Sequence, residues 1–76
     1  MIRDSRLRIL AVEKILLDNP QGKSVAQIIN ALECLYQIKA DRKTLYADFA
    51  ALTFFHNLQT YRKGNTVIYQ IKEKDA

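Results

Sequence analysis

The sequence predicts a mainly α-helical fold with a small β-hairpin at its end. Apolar residues recur at helical spacing up to about residue 54, and two β-prone runs then follow, separated by a glycine-containing turn. With 76 residues, 2 glycines and 1 proline, the chain has the size and composition of one globular domain, residues 1–76. So short a chain has room for one core and little for a deep catalytic pocket, which argues against an enzyme.

The first helix is predicted from about residue 5 to residue 18. Ile9, Val12 and Leu16 fall on one face at helical spacing, and Pro20 then disfavours helix in the residue before it. Much of the remaining surface of this helix is apolar too. Because a helix that is apolar almost all round is normally covered on more than one side, a partner chain could supply a second covering surface.

A helix-turn-helix motif is predicted from the second and third helices. Ser24 is a suitable N-cap for a helix over 25–36, and Gln27 completes a capping box. Asp41 can cap a third helix, predicted over 42–54. The buried stripe of that third helix is predicted to be Leu45, Phe49 and Leu52.

The end of the chain is predicted to form a hairpin over about 58–71. Its β-prone runs cover residues 58–61 and 66–71, with a turn at 62–65. A lone hairpin is only marginally stable in water, so this one must pack on the helices. A hairpin appended to such a motif makes a three-helix winged helix-turn-helix fold.

In a helix-turn-helix motif, the second helix enters the major groove of DNA and presents its first residues to the base edges. With Leu45 facing the core, Lys43, Ala47 and Ala50 point outward. Cations can donate to phosphate or guanine, hydroxyl groups can bind phosphate, and alanine can contact a thymine methyl group. The predicted DNA-binding residues, with two cations at the tip of the wing, are Arg42, Lys43, Thr44, Tyr46, Ala47, Arg62 and Lys63. The same charges would also suit an ordinary solvated helix, and this alternative stays open.

The charge and cysteine content favour some classes of protein and exclude others. The formal net charge of +4 favours polyanionic partners, and Arg3, Arg6 and Arg8 could also contact phosphates. Cys34 is the only cysteine, which excludes an intrachain disulfide and favours a cytoplasmic protein. Because Cys34 and His56 have no convergent carboxylates, we expect no catalytic site, metal or cofactor, and no small-molecule ligand is evident. The sequence contains no run of about 20 apolar residues, so we expect no membrane partner.

The stretch from Arg6 to Ile71 resembles the N-terminal winged-helix domain of WYL-domain bacterial transcription regulators, and more loosely the DeoR-type helix-turn-helix. The segment 41–52, DRKTLYADFAAL, is similar to that family's recognition helix, which usually has a basic pair, Thr, an aliphatic residue, Tyr, Arg, Asp, an aliphatic residue and a later Leu. Two features depart from the pattern. Ala47 stands where the family usually has arginine, and residues 53–57 (TFFHN) replace a polar, glycine-containing turn.

The resemblance implies sequence-specific binding to double-stranded DNA by a bacterial-type transcription regulator. We expect a homodimer through the first helix and the wing region, because a second half-site gives a small module useful affinity. The alternative is a winged-helix protein–protein interaction module without DNA binding, supported by Ala47, the apolar first helix and Phe54-Phe55. Binding to single-stranded nucleic acid would need exposed stacking aromatics, for which Tyr46 and Tyr61 are the candidates. Proteins of the resembled class carry a further C-terminal domain, so the chain is either free-standing or part of a longer regulator.

Overall fold

The three helices precede most of the sheet in the sequence. The computed structural model describes residues 5–72, and within this range it contains three helices and a three-stranded antiparallel sheet. The elements in chain order are α1 (Ser5–Asp18), β1 (Lys23–Ser24), α2 (Val25–Tyr36), α3 (Arg42–Leu52), β2 (Leu58–Lys63) and β3 (Thr66–Ile71). The fold is therefore mixed α/β. Within the described range, no helix combines the length and the apolar character that crossing a bilayer requires.

Side-chain caps determine where α2 and α3 begin. The Ser24 hydroxyl accepts from the Gln27 backbone N–H at 3.1 Å, and the Gln27 side chain accepts from the Ser24 backbone N–H at 3.0 Å, so the predicted capping box is confirmed. The Asp41 carboxylate accepts from the Thr44 backbone N–H at 2.8 Å, as predicted. This hydrogen bond lowers the pKa of Asp41. The predicted bounds of the first two helices are confirmed.

The third helix is two residues shorter than the predicted range of 42–54 and ends at Leu52. Beyond it, the backbone N–H of Phe54 donates to the Ala51 carbonyl at 3.2 Å, and that of Phe55 donates to the Leu52 carbonyl at 3.0 Å. These bonds span three residues, so the chain tightens into a turn and leaves the helix. Phe54 and Phe55 therefore lie in a loop, and the predicted end of this helix was wrong.

The core lies where the three helices meet the sheet. Five aliphatic side chains are completely inaccessible to water: Val12, Leu16, Ile28, Leu32 and Leu45. The predicted stripe of α3 is confirmed, because Phe49 and Leu52 are also buried. Phe49 stacks on Tyr69 of β3 with ring centroids 4.2 Å apart, which joins the helical core to the sheet. On α1, Val12 and Leu16 are buried as predicted, while Ile9 is half-buried.

The sheet has one strand more than the predicted hairpin, in the order β1-β3-β2. In β1, Lys23 pairs with Tyr69 and Ser24 pairs with Ile68, so the start of α2 is attached to the hairpin. The hairpin turn is also shorter than the predicted 62–65. Arg62 and Lys63 belong to β2, and only residues 64–65 form the turn. Gly64 has a φ of 64°, as the first central position of a type II′ turn requires.

Gly22 is fixed by the close approach of β3. Its φ is 95°, and a Cβ atom there would lie 2.6 Å from the Ile68 Cγ2 atom and 2.7 Å from the Tyr69 carbonyl oxygen. We expect Gly22→Ala to lower the free energy of unfolding by about 3 kcal/mol, since backbone strain and overpacking add up. Urea denaturation measures this loss.

The matched control for that substitution is Gly64→Ala. Gly64 also has a positive φ, but nothing lies within 4 Å of its added Cβ. Only backbone strain then remains, and the expected loss is about 1 kcal/mol. Equal losses at the two positions would contradict the tight packing of the loop before β1 against β3.

Candidate nucleic-acid interface

The outward face of α3 carries the residues that the sequence singled out. Arg42, Lys43 and Ala47 are exposed, and Ala50 continues the same face one turn further along. Tyr46 beside them is 49% exposed. Thr44 is half-buried, and its backbone N–H is engaged by the Asp41 cap. Two cations therefore lie in the first turn of a helix whose N-terminus already carries positive partial charge.

An ion pair joins α1 to the inward side of α3. Arg8 donates through Nε to Asp48 Oδ2 at 2.6 Å and through Nη2 to Asp48 Oδ1 at 2.9 Å. The Asp48 side chain is 2% exposed and that of Arg8 is 18% exposed. The hydrogen bond to Asp48 raises the pKa of Arg8.

This ion pair was not predicted. The phosphate contact suggested for Arg8 stays a prediction, although Asp48 occupies the edge of the guanidinium formed by Nε and Nη2. Arg6 lies on the exposed start of α1, and Arg3 lies outside the described residues. A signal was present in the sequence: Asp48 occurs at helical spacing from Leu45 and Leu52, which places a carboxylate among the buried residues of α3.

The strand register places the two wing cations on opposite faces of the hairpin. Arg62 pairs with Val67, and the pair two residues further is Thr60 with Tyr69, so Arg62 shares the sheet face of Tyr69. Since Tyr69 stacks on Phe49, this is the face turned towards α3. Lys63 pairs with Thr66 and lies on the other face. The structure therefore groups Arg62 with the α3 residues and separates Lys63 from them.

A groove of about 340 Å³ connects α3 to the hairpin. Arg42 and Tyr46 line one wall, and residues 65–67 of the turn and β3 line the other. Tyr69 lies at its base, and its burial raises the pKa of its hydroxyl group. The basic start of α3 and the tip of the hairpin thus form one side of the molecule.

A second groove, of about 500 Å³, lies on the face of the hairpin that carries Lys63. Lys23, Gln27 and Tyr61 also line it, and the Tyr61 hydroxyl donates to the Gln21 carbonyl at 2.8 Å. This hydrogen bond attaches β2 to the loop before β1. Tyr61 is 40% exposed, so part of its ring faces solvent.

The remaining candidates for chemistry are used within the fold or lie apart from one another. His56 Nε2 and Glu13 Oε2 are 2.5 Å apart, which joins the loop after α3 to α1. The Cys34 thiol is exposed on α2, with Asn30 Oδ1 at 3.7 Å. Within residues 5–72, no three His, Cys, Asp or Glu side chains converge as metal ligands would.

No protein-family model matches the sequence, and comparisons with curated proteins and with solved structures also give no significant match. The resemblance to WYL-domain regulators therefore rests on its own residues alone, chiefly the segment 41–52.

The Arg8–Asp48 pair gives a testable asymmetry. Arg8→Met leaves a buried carboxylate without its partner, and we expect a loss of about 3 kcal/mol in the free energy of unfolding. Arg8→Met combined with Asp48→Leu removes both charges, so stability should return to within about 1 kcal/mol of the unmodified chain. Thermal and urea unfolding of the variants measure this. A double variant no more stable than Arg8→Met would contradict the buried pairing.

Proposed function

We propose that this chain is a winged-helix module that binds double-stranded DNA, with α3 in the major groove and the β2–β3 hairpin on the backbone or in the minor groove. The observation that carries the proposal is the single surface formed by the basic start of α3, its small outward residues and the hairpin, joined by the groove between Arg42 and residues 65–67. The biological role proposed with it is that of a bacterial-type transcription regulator in the cytoplasm.

The choice of residues on α3 is better explained by an anionic partner than by stability. Cations in the first turn oppose the positive end of the helix dipole, and the Asp41 cap offsets two cations with only one carboxylate. The positive N-terminus of the helix attracts phosphate, and Arg42 and Lys43 strengthen this attraction. Both side chains can also donate to the acceptor atoms of guanine. Ala47 and Ala50 leave the helix narrow on its outward side, so its backbone can approach the base edges and the methyl group of thymine.

The hairpin complements α3 because it has a cation on each face. Arg62 points to the α3 side and Lys63 to the opposite side, with a two-residue turn between the strands. A hairpin that enters a groove edge-on therefore offers one cation to each phosphate strand. Such contacts position the module on the duplex, whereas sequence preference would come from α3.

Protein–protein binding is the second candidate function. It is favoured by Phe54 and Phe55, which are 85% and 82% exposed, and by Ala47 in place of the arginine usual in the resembled family. These aromatics lie beyond the end of α3 and are not part of the surface proposed for DNA. The two functions are therefore separable by substitution.

Reversal of one charge on α3 tests the proposal. Lys43→Glu should weaken binding to a short random-sequence duplex by about tenfold or more, because it removes one phosphate contact and adds a repulsive charge. Gel-shift titration at low salt measures this loss. Partner binding through Phe54 and Phe55 would be unaffected.

The control is Lys72→Glu, which changes the net charge by the same amount at an exposed position just after β3, at the opposite end of the hairpin from its turn. It should retain most of the affinity. Equal weakening by both variants would show that binding reflects net charge alone, and failure of the unmodified chain to bind duplex would contradict the proposal directly.

A further inference from the structure

Five large apolar side chains are exposed on α1 and in the loop after α3. On α1, Leu7, Leu10 and Leu17 are 46%, 59% and 45% exposed. Phe54 and Phe55, in the loop after α3, are more exposed still. We call these five side chains the α1 face, because the structure places the loop beside this helix.

The pair between His56 and Glu13 joins this loop to α1. Glu13 lies three residues after Leu10 and four before Leu17, so it shares their side of the helix. The pair therefore holds the Phe54-Phe55 loop next to the two leucines. On the other flank of the helix, a groove of about 300 Å³ lined almost wholly by carbon atoms runs between Leu7, Leu10 and Tyr36.

We infer that a second copy of this chain docks on the α1 face, with the two α1 helices antiparallel about a two-fold axis near Glu13 and Lys14. Leu10 and Leu17 are seven residues, or two turns, apart on the exposed side of α1. In an antiparallel pair, Leu10 of each copy meets Leu17 of the other. A self-complementary patch of this kind is what a two-fold interface requires.

The area agrees with that of a dimer interface. The five side chains expose on the order of 600 Å², which is at the upper end of the range for the largest apolar patch of a typical monomer. A standard interface buries about 800 Å² on each partner, of which somewhat more than half is apolar. The α1 face therefore suffices for the apolar centre of such an interface.

The charges at the centre of this face do not oppose the contact. Lys14 Nζ lies 3.0 Å from Asp18 Oδ2, and Glu13 is engaged by His56. Neither charge needs a new partner when two copies meet, which limits the desolvation penalty.

Docking here leaves both DNA surfaces free. Arg8, which holds α3, lies two residues before Leu10 and thus on the opposite side of α1. A dimer of this kind presents two α3 helices, as two half-sites would require. The inference does not depend on DNA binding, since self-association is measured without nucleic acid.

Sedimentation velocity over a concentration series tests the inference. The unmodified chain should form a dimer, and Leu10→Gln with Leu17→Gln should weaken self-association by about tenfold or more, because four buried leucines are lost per dimer. Glutamine retains the helix propensity of leucine, and both positions are exposed, so the fold is kept. Phe54→Ser with Phe55→Ser, which alters no helix or strand, should weaken the dimer in the same way.

Val67→Thr is the control, because it reduces an exposed apolar side chain on the hairpin, is well tolerated in a strand and should leave the dimer intact. A chain that stays monomeric up to its solubility limit would overturn the inference. So would a dimer that neither paired substitution weakens, or one that Val67→Thr weakens as much.

Discussion

A carboxylate that is almost completely removed from water lies in the middle of α3, and the arrangement of the helices depends on how it is neutralised. Asp48 accepts two hydrogen bonds from Arg8 in bidentate geometry. An unpaired carboxylate at that position would be strongly destabilising, so the pair favours the rotation of α3 that turns Asp48 towards Arg8. The aliphatic contacts around Leu45 supply most of the burial, but they are less directional than two fixed hydrogen bonds.

That rotation determines what α3 presents to solvent. With Asp48 directed at α1 and Phe49 stacked on Tyr69, the opposite side of the helix is left with Lys43, Ala47 and Ala50. The hairpin is held beside it by β1, which ties β3 to the start of α2. The same constraint separates two surfaces: a basic one at the start of α3 and an apolar one on the far side of α1. We propose DNA as the partner of the first surface and a second copy of the chain as the partner of the second.

The sequence predicted the helices well because their signals are local. The capping box of Ser24 and Gln27, the cap at Asp41 and the apolar spacing of α3 each involve residues within a few positions of one another. It did not predict β1, since two residues carry no periodicity and the strand exists only because Gly22 lets β3 approach closely. The partner of Asp48 is 40 residues away in sequence, and local patterns do not identify such a partner. For the candidate site, exposure of the α3 residues followed from helical periodicity, whereas the division of Arg62 and Lys63 between two hairpin faces required the strand register.

The most direct test of DNA binding is the salt dependence of the unmodified chain's affinity for duplex, measured by fluorescence anisotropy beside a single strand of the same length. Each phosphate neutralised contributes about −0.9 to the slope of log affinity against log salt concentration. If the two cations of α3 and the two of the hairpin all reach phosphates, the slope should approach about −3.6 per chain, and duplex should be preferred to single strand. Affinity that is absent at low salt, or no higher for duplex than for single strand, would contradict the account.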